Sequence, residues 1–135
     1  LWKIHASAIG EAMVLAKKAG LEPDVWWEVM KGGAADSFVL HHDVPSIFAG
    51  HYDPSFRVEL ALKDLDLIQE LIKENNTRSE LTNAAHEKFK EAKKRYGDEA
   101  GEMTVCKLIE EDANVNLQVD GEWIAPWEVK HPKDK

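Results

Sequence analysis

The amino-acid sequence predicts an all-α domain, an antiparallel bundle of five or six helices with a small C-terminal hairpin. Apolar residues recur at helical spacing through most of residues 1–112, and the connections between the periodic segments are short. Strand-like alternation is found only after this helical part. We therefore expect a helical domain at 1–112, a hairpin extension at 113–125 and a charged tail at 126–135.

Length and composition limit the functions that this chain can have. It has 135 residues, with 17 Lys and Arg against 25 Asp and Glu, which gives a net charge of −8. A domain of this size folds without a structural metal, and the single cysteine, Cys106, cannot form an intramolecular disulfide. The acidic charge argues against nucleic acid and against a membrane surface as partners. A soluble, cytoplasmic protein is expected.

Two helices are predicted in the N-terminal part of the chain. Apolar residues follow one helical face over residues 1–19, and Gly20 is a natural C-terminal stop. Pro23 is suited to the first turn of a shorter helix over residues 23–31. Because the chain starts in helical register, without an initiator Met or a signal peptide, we expect that it begins inside a helix.

The middle of the chain predicts a long helix after a weakly patterned stretch. Residues 34–56 could contain two short helical pieces, one at 37–42 and one that begins at Val44. The long helix runs over 56–74 with Ser55 as its N-cap. It carries two adjacent apolar stripes, and such a broad apolar arc predicts burial between several helices.

The last predicted elements are two helices and the hairpin. Apolar spacing indicates a helix that begins at Ser79 and ends before Gly97, and another over residues 101–111. After these helices, Val115, Leu117 and Val119 alternate with polar residues and precede an Asp-Gly pair. An Asp-Gly pair between alternating apolar residues is a strong hairpin signal.

A metal-binding helical domain is one alternative reading of the histidines. His41, His42 and His51 are residues of a type that binds zinc. Neighbouring His41 and His42 would point in different directions on a helix, and no second histidine lies four residues away. A structural role is therefore favoured, and no metal ligand is predicted.

The long helix contains one carboxylate in an otherwise apolar row. That row consists of Leu60, Asp64, Leu67 and Leu71. Lys63 is adjacent to Asp64, and Phe56 lies two turns before Lys63 on the same side of the helix. Asp64 either has a partner in a functional cleft or reaches water near a half-exposed helix start.

Three segments resemble the C-terminal domain of the β-hydroxyacid dehydrogenases, the family of 3-hydroxyisobutyrate dehydrogenase. Residues 11–21, with Glu-Ala, Leu-Ala and Gly-Leu pairs, are similar to the first helix of that domain and the start of the next. Residues 56–67 resemble the family helix Phe…Leu…Lys-Asp-Leu-x-Leu. The Tyr-Gly-Asp-Glu run at 96–99 resembles the turn before the final helix. The resemblance extends over residues 1–112.

The resemblance implies a fold, a reaction and partners. The fold is that of the 6-phosphogluconate dehydrogenase C-terminal domain, which follows an N-terminal Rossmann domain and forms a homo-oligomer. The reaction moves hydride between NAD or NADP and a small-molecule substrate, a 3-hydroxy acid or semialdehyde. By resemblance, Lys63 contacts the dinucleotide, and Phe56 and Asp64 help to form the cofactor and substrate cleft.

The chain also departs from the family pattern. Counting back from Glu11 places the family's catalytic lysine before Leu1, so Lys3 is not its equivalent and no catalytic residue is predicted here. The Gly-x-Gly-x-x-Gly loop that binds a pyrophosphate is absent from the sequence. We therefore expect the isolated chain to be inactive. The alternative function is a non-enzymatic, self-associating helical module.

Overall fold

The computed structural model describes residues 1–124, and this part of the chain is helical. Its seven helices are α1 (Trp2–Lys18), α2 (Pro23–Lys31), α3 (Phe38–His42), α4 (Val44–Phe48), α5 (Val58–Glu74), α6 (Glu80–Tyr96) and α7 (Thr104–Asp112). The all-α class is confirmed. The five longer helices are those that the periodicity predicts, and the two five-residue helices lie in the weakly patterned stretch. Within residues 1–124, no helix has the length and apolar character needed to cross a membrane.

Helix α1 lies at the centre of the bundle and packs against α7 and α6. Its contact with α7 is close because Gly10 has no side chain, and a Cβ atom there would lie 2.9 Å from Cys106 Sγ. Cys106 is fully buried, and its thiol donates to the carbonyl oxygen of Ala6 at 3.3 Å. The cysteine is therefore part of the helix–helix contact.

Helix α5 begins two residues later than the sequence predicts, and Ser55 does not cap it. The N–H and the hydroxyl of Ser55 both donate to Asp53 Oδ1, at 3.1 and 2.5 Å. The N–H of Val58, the first helical residue, instead donates to the carbonyl oxygen of Ala100 at 2.7 Å. The loop before α7 thus satisfies a backbone donor at the start of α5.

The buried face of α5 is narrower than its two apolar stripes predict. Val58, Ala61 and Leu65 are buried, whereas Leu67 and Leu71 are 51% and 57% exposed. The prediction of burial between several helices is therefore wrong for the stripe that contains Leu67 and Leu71, because no element in the described part of the chain covers these two side chains.

The prediction of a small hairpin at residues 113–125 is wrong for residues 113–124, which the structure describes. Residues 113–124 contain no strand. The sequence pattern supplies alternating apolar side chains, but it does not decide whether they pack on a second strand or on the helices. The charged tail predicted at 126–135 lies outside the described residues.

The segment after α7 packs back onto the helical bundle. The N–H of Leu117 donates to Glu110 Oε1 at 2.8 Å, and the N–H of Val119 donates to the carbonyl oxygen of Phe48 at 3.2 Å. The rings of Trp123 and Phe48 are 4.7 Å apart. The backbone donors and apolar side chains of this segment therefore find their partners on the bundle.

Candidate functional site

The loop after α4 and the loop before α7 meet at a point of close backbone contact. Tyr52 and Asp53 have positive φ angles of 54° and 49°, and a Cβ atom at Gly101 would lie 2.1 Å from the Tyr52 carbonyl oxygen. Only glycine permits this approach. Next to it, the N–H of Glu102 donates to the carbonyl oxygen of Phe56 at 2.9 Å. The contact ties the backbone of Phe56 to that of Glu102.

A polar cluster forms where the first turn of α1 meets α5, and we call Lys3, Phe56, Asp64 and Glu102 the Lys3 cluster. Lys3 Nζ donates to Asp64 Oδ2 at 3.1 Å. The same ammonium lies 5.6 Å from the centroid of the Phe56 ring and 5.7 Å from that of Trp2. Two aromatic rings and one carboxylate therefore fix the position of this cation.

Glu102 is the most unusual member of the Lys3 cluster. Only 8% of the residue is exposed, yet its carboxyl group has no hydrogen-bond partner within residues 1–124. Burial raises the pKa of Glu102 to about 8; the Lys3 charge opposes this shift, while Asp43, Asp53 and Asp64 add to it. At neutral pH this carboxyl group therefore holds its proton and can donate a hydrogen bond.

Lys63 lies in a separate groove on the surface of α5, which we call the Lys63 groove. Its volume is about 440 Å³, and its lining residues are Arg57, Glu59, Leu60, Leu62, Lys63, Asp66 and Lys93. Arg57 pairs with Glu99 at 2.5 Å and Lys93 with Asp98 at 3.4 Å. Lys63 has no ion pair or hydrogen bond with another side chain in the described part of the chain, so its charge is available to a ligand.

The three residues predicted for the cleft thus divide between two places. Phe56 and Asp64 belong to the Lys3 cluster, whereas Lys63 lines the groove. Asp64 pairs with Lys3 and not with its sequence neighbour Lys63, because adjacent residues on a helix point about 100° apart. Their roles toward a cofactor remain predictions.

Sequence reasoning missed Lys3 and Glu102 as members of the site. The isolated carboxylate of Asp64 indicated that a partner was needed, but that partner lies 61 residues away in the sequence. Glu102 stands directly before Met103 and the first turn of α7, which contains the apolar residues Val105 and Cys106. Its position next to these apolar residues was the one feature of the sequence that could have indicated the burial of Glu102.

The alternative reading of the histidines as metal ligands has no supporting geometry among residues 1–124. No three histidine, cysteine or acidic side chains in that range converge so that they could hold a metal ion. His41 Nε2 lies 2.6 Å from Asp36 Oδ1, and His42 Nδ1 lies 2.9 Å from Asp43 Oδ1. Two of the three histidines therefore have separate carboxylate partners.

Residues 1–124 therefore form a helical domain with two polar features that a ligand could contact: the Lys63 groove, in which Lys63 has no ion pair within these residues, and the Lys3 cluster. Residues 1–109 match the family described as the NAD-binding domain of NADP-dependent 3-hydroxyisobutyrate dehydrogenase. The chain belongs to this family of NAD-binding domains of hydroxyacid dehydrogenases. The cofactor of the family is NAD or NADP.

Individual relatives are consistent with this assignment. The L-threonate dehydrogenase of Haemophilus influenzae is 33% identical over 78% of this chain and 35% of its own length. That of Cupriavidus necator is 32% identical over 64% of this chain and 29% of its own length. The crystal structure of 3-hydroxyisobutyrate dehydrogenase from Salmonella typhimurium superposes with a TM-score of 0.75 at 28% identity, covering 80% of this chain and 38% of that one. The chain thus spans about a third of the length of these relatives.

The residues present fit one part of a dinucleotide. Lys63, whose ammonium has no ion pair in the part of the chain that the structure describes, lies in an open groove and suits an anionic or hydroxyl-bearing part of the cofactor. The Gly-rich loop that would bind the pyrophosphate is not in this sequence. The chain can therefore supply one wall of a cofactor site.

Proposed function

We propose that this chain is the C-terminal domain of an NAD(P)-dependent oxidoreductase that interconverts a small hydroxy acid and its carbonyl form. The observation that carries the proposal is Lys63, which has no ion pair within residues 1–124 and lies in an open groove, on a helix with the family's Lys-Asp-Leu sequence. Relatives named for L-threonate and 3-hydroxyisobutyrate support small hydroxy acids as the substrate class.

In this proposal, the residues of this chain bind the cofactor and shape the cleft around it. NAD or NADP, when bound, supplies the acceptor or donor for the hydride. Lys63 contacts the cofactor as a point charge, and Phe56 forms an apolar wall that excludes water from the cleft. Asp64 holds Lys3 at 3.1 Å and thereby joins the first turn of α1 to α5.

Two protein partners belong to the proposal. The chain covers about a third of its relatives, so we infer that it works together with an N-terminal Rossmann domain that binds the pyrophosphate. We also infer a homo-oligomer, because Leu67, Leu71 and Leu81 expose more than half of their surface and such apolar surface favours association.

Lys63 provides the direct test in the two-domain protein. Replacement of Lys63 by Met should weaken NAD(P)H binding by about tenfold or more, because a charged hydrogen bond contributes roughly 1.5–3 kcal/mol. Cofactor fluorescence during titration measures this dissociation constant. Lys73→Met, near the exposed C-terminal end of the same helix, is the matched control and should bind the cofactor as the unaltered protein does.

The isolated chain provides the complementary test. The 135 residues alone should not reduce NAD or NADP with L-threonate or 3-hydroxyisobutyrate, whereas the two-domain protein should. Turnover by the isolated chain would contradict the inferred need for a Rossmann domain. A two-domain protein that binds no cofactor would favour the alternative of a non-enzymatic, self-associating module.

A further inference from the structure

The Lys3 cluster has hydrogen-bonding capacity that the described residues do not use. The Lys3 ammonium has three donors, and Asp64 takes one of them. The second oxygen of Asp64 and the whole carboxyl group of Glu102 have no hydrogen-bond partner in residues 1–124. Glu102 is only 8% exposed, but none of these oxygens is among the fully enclosed unpaired atoms of residues 1–124. A ligand hydroxyl group or an ordered water can therefore reach them.

The charges of the cluster favour a neutral ligand group. Lys3 and Asp64 neutralise one another, and Glu102 is protonated near neutral pH because burial raises its pKa to about 8. The carboxylates of Asp43 and Asp53 act on the same position. An anion would be repelled there, and no metal-binding group of side chains forms within residues 1–124.

We propose that Lys3, Asp64 and Glu102 form a substrate subsite that binds hydroxyl groups of a polyhydroxylated carboxylic acid. The inference rests on the proposed function and names the substrate class of that cleft. A hydroxyl group can donate to Asp64 and accept from Lys3 or from protonated Glu102. The rings of Phe56 and Trp2, both near the Lys3 ammonium, form the apolar side of the subsite.

The same groups discriminate against an acid that carries a methyl group instead of hydroxyl groups. Such a ligand would displace water from Lys3, Asp64 and Glu102 and give them no partner. Sites that are built to bind a substrate hydroxyl reject analogues without it far more strongly than apolar pockets reject an added hydroxyl. L-Threonate, with several hydroxyl groups, and 3-hydroxyisobutyrate, with a methyl group, are suitable probes for this difference.

The experiment compares kcat/KM for L-threonate and 3-hydroxyisobutyrate in the two-domain protein and its variants. Lys3→Met and Glu102→Leu keep side-chain size but remove the polar groups. Each should lower kcat/KM for L-threonate by about tenfold more than kcat/KM for 3-hydroxyisobutyrate. Glu102→Gln keeps a donor and an acceptor and should retain most of the preference. Lys73→Met is the exposed control.

The outcomes separate this inference from the proposed function. Equal loss with both acids, or equal behaviour of Glu102→Gln and Glu102→Leu, would overturn the subsite while the hydroxyacid activity stands. A preference of the unaltered protein for 3-hydroxyisobutyrate would also overturn it. If neither acid is oxidised and no cofactor binds, the proposed function fails and the subsite fails with it. Unchanged cofactor affinity in the folded Lys3→Met and Glu102→Leu variants supports a local effect on substrate.

Discussion

Single residues at points of close backbone approach determine how the helices and loops fit together. At Gly10, helix α1 meets Cys106 of α7, and at Gly101 the loop before α7 meets the carbonyl oxygen of Tyr52. Neither position has room for a side chain. Because interiors are packed as densely as organic crystals, a single added methyl group must displace its neighbours.

Gly10→Ala should destabilise the chain. The new Cβ atom would lie 2.9 Å from the sulfur and 3.2 Å from the Cα atom of Cys106, so α1 and α7 must move apart. We expect a loss of about 1–3 kcal/mol in the free energy of unfolding, measured in urea. Gly32→Ala is the matched control, since nothing lies within 4 Å of its Cβ position. Equal stability of the two variants would contradict the close contact.

The protonated state of Glu102 makes stability depend on pH. Its pKa is about 8 in the folded chain against an ordinary value of 4.5, so the unfolded chain loses this proton first. The free energy of unfolding should therefore fall as pH rises from about 4.5 to about 8, by about 2–4 kcal/mol.

Glu102→Gln tests this pH dependence because an amide does not ionise. The variant should lose that part of the decline in urea unfolding between pH 5 and pH 9, whereas exposed Glu70→Gln should keep it. An unchanged decline in Glu102→Gln would show that other groups cause it.

At the scale of elements, the segment after α7 is held in place by contacts with the helical bundle. Leu117 is fully buried, and its N–H is held by the carboxylate of Glu110. Tyr52 donates to the other oxygen of that carboxylate at 2.8 Å. One buried side chain of α7 thus connects the segment to the loop that carries the left-handed Tyr52–Asp53 pair.

Leu117→Ala should show how much this segment contributes to stability. Removal of a fully buried leucine side chain typically costs about 2–5 kcal/mol, and we expect a loss in this range, measured by urea unfolding. Ile124→Ala is the control, because Ile124 is 65% exposed. A loss below 1 kcal/mol for Leu117→Ala would mean that the segment is not packed on the bundle in solution.

At the scale of the whole molecule, exposed leucines on α5 and α6 should cause self-association of the 135-residue chain. Leu71 and Leu81 are 57% and 70% exposed. We expect the sedimentation coefficient to rise with concentration in the micromolar range, and Leu71→Glu to weaken this rise. Glu74→Gln is the control on the same helix. A monomer across this range, or an unchanged rise in Leu71→Glu, would contradict the prediction.

The sequence by itself determined the helical class, the positions of the five longer helices and the family, because periodicity and the Lys-Asp-Leu motif are local properties of the chain. Tertiary structure decided which residues share a site. It paired Asp64 with Lys3 across 61 residues, separated Lys63 from Asp64, and buried Glu102 within reach of the Lys3 charge. It also packed the segment after α7 against the helical bundle. Hydrogen bonds and burial depend on which residues the fold brings together, and the local sequence does not specify these.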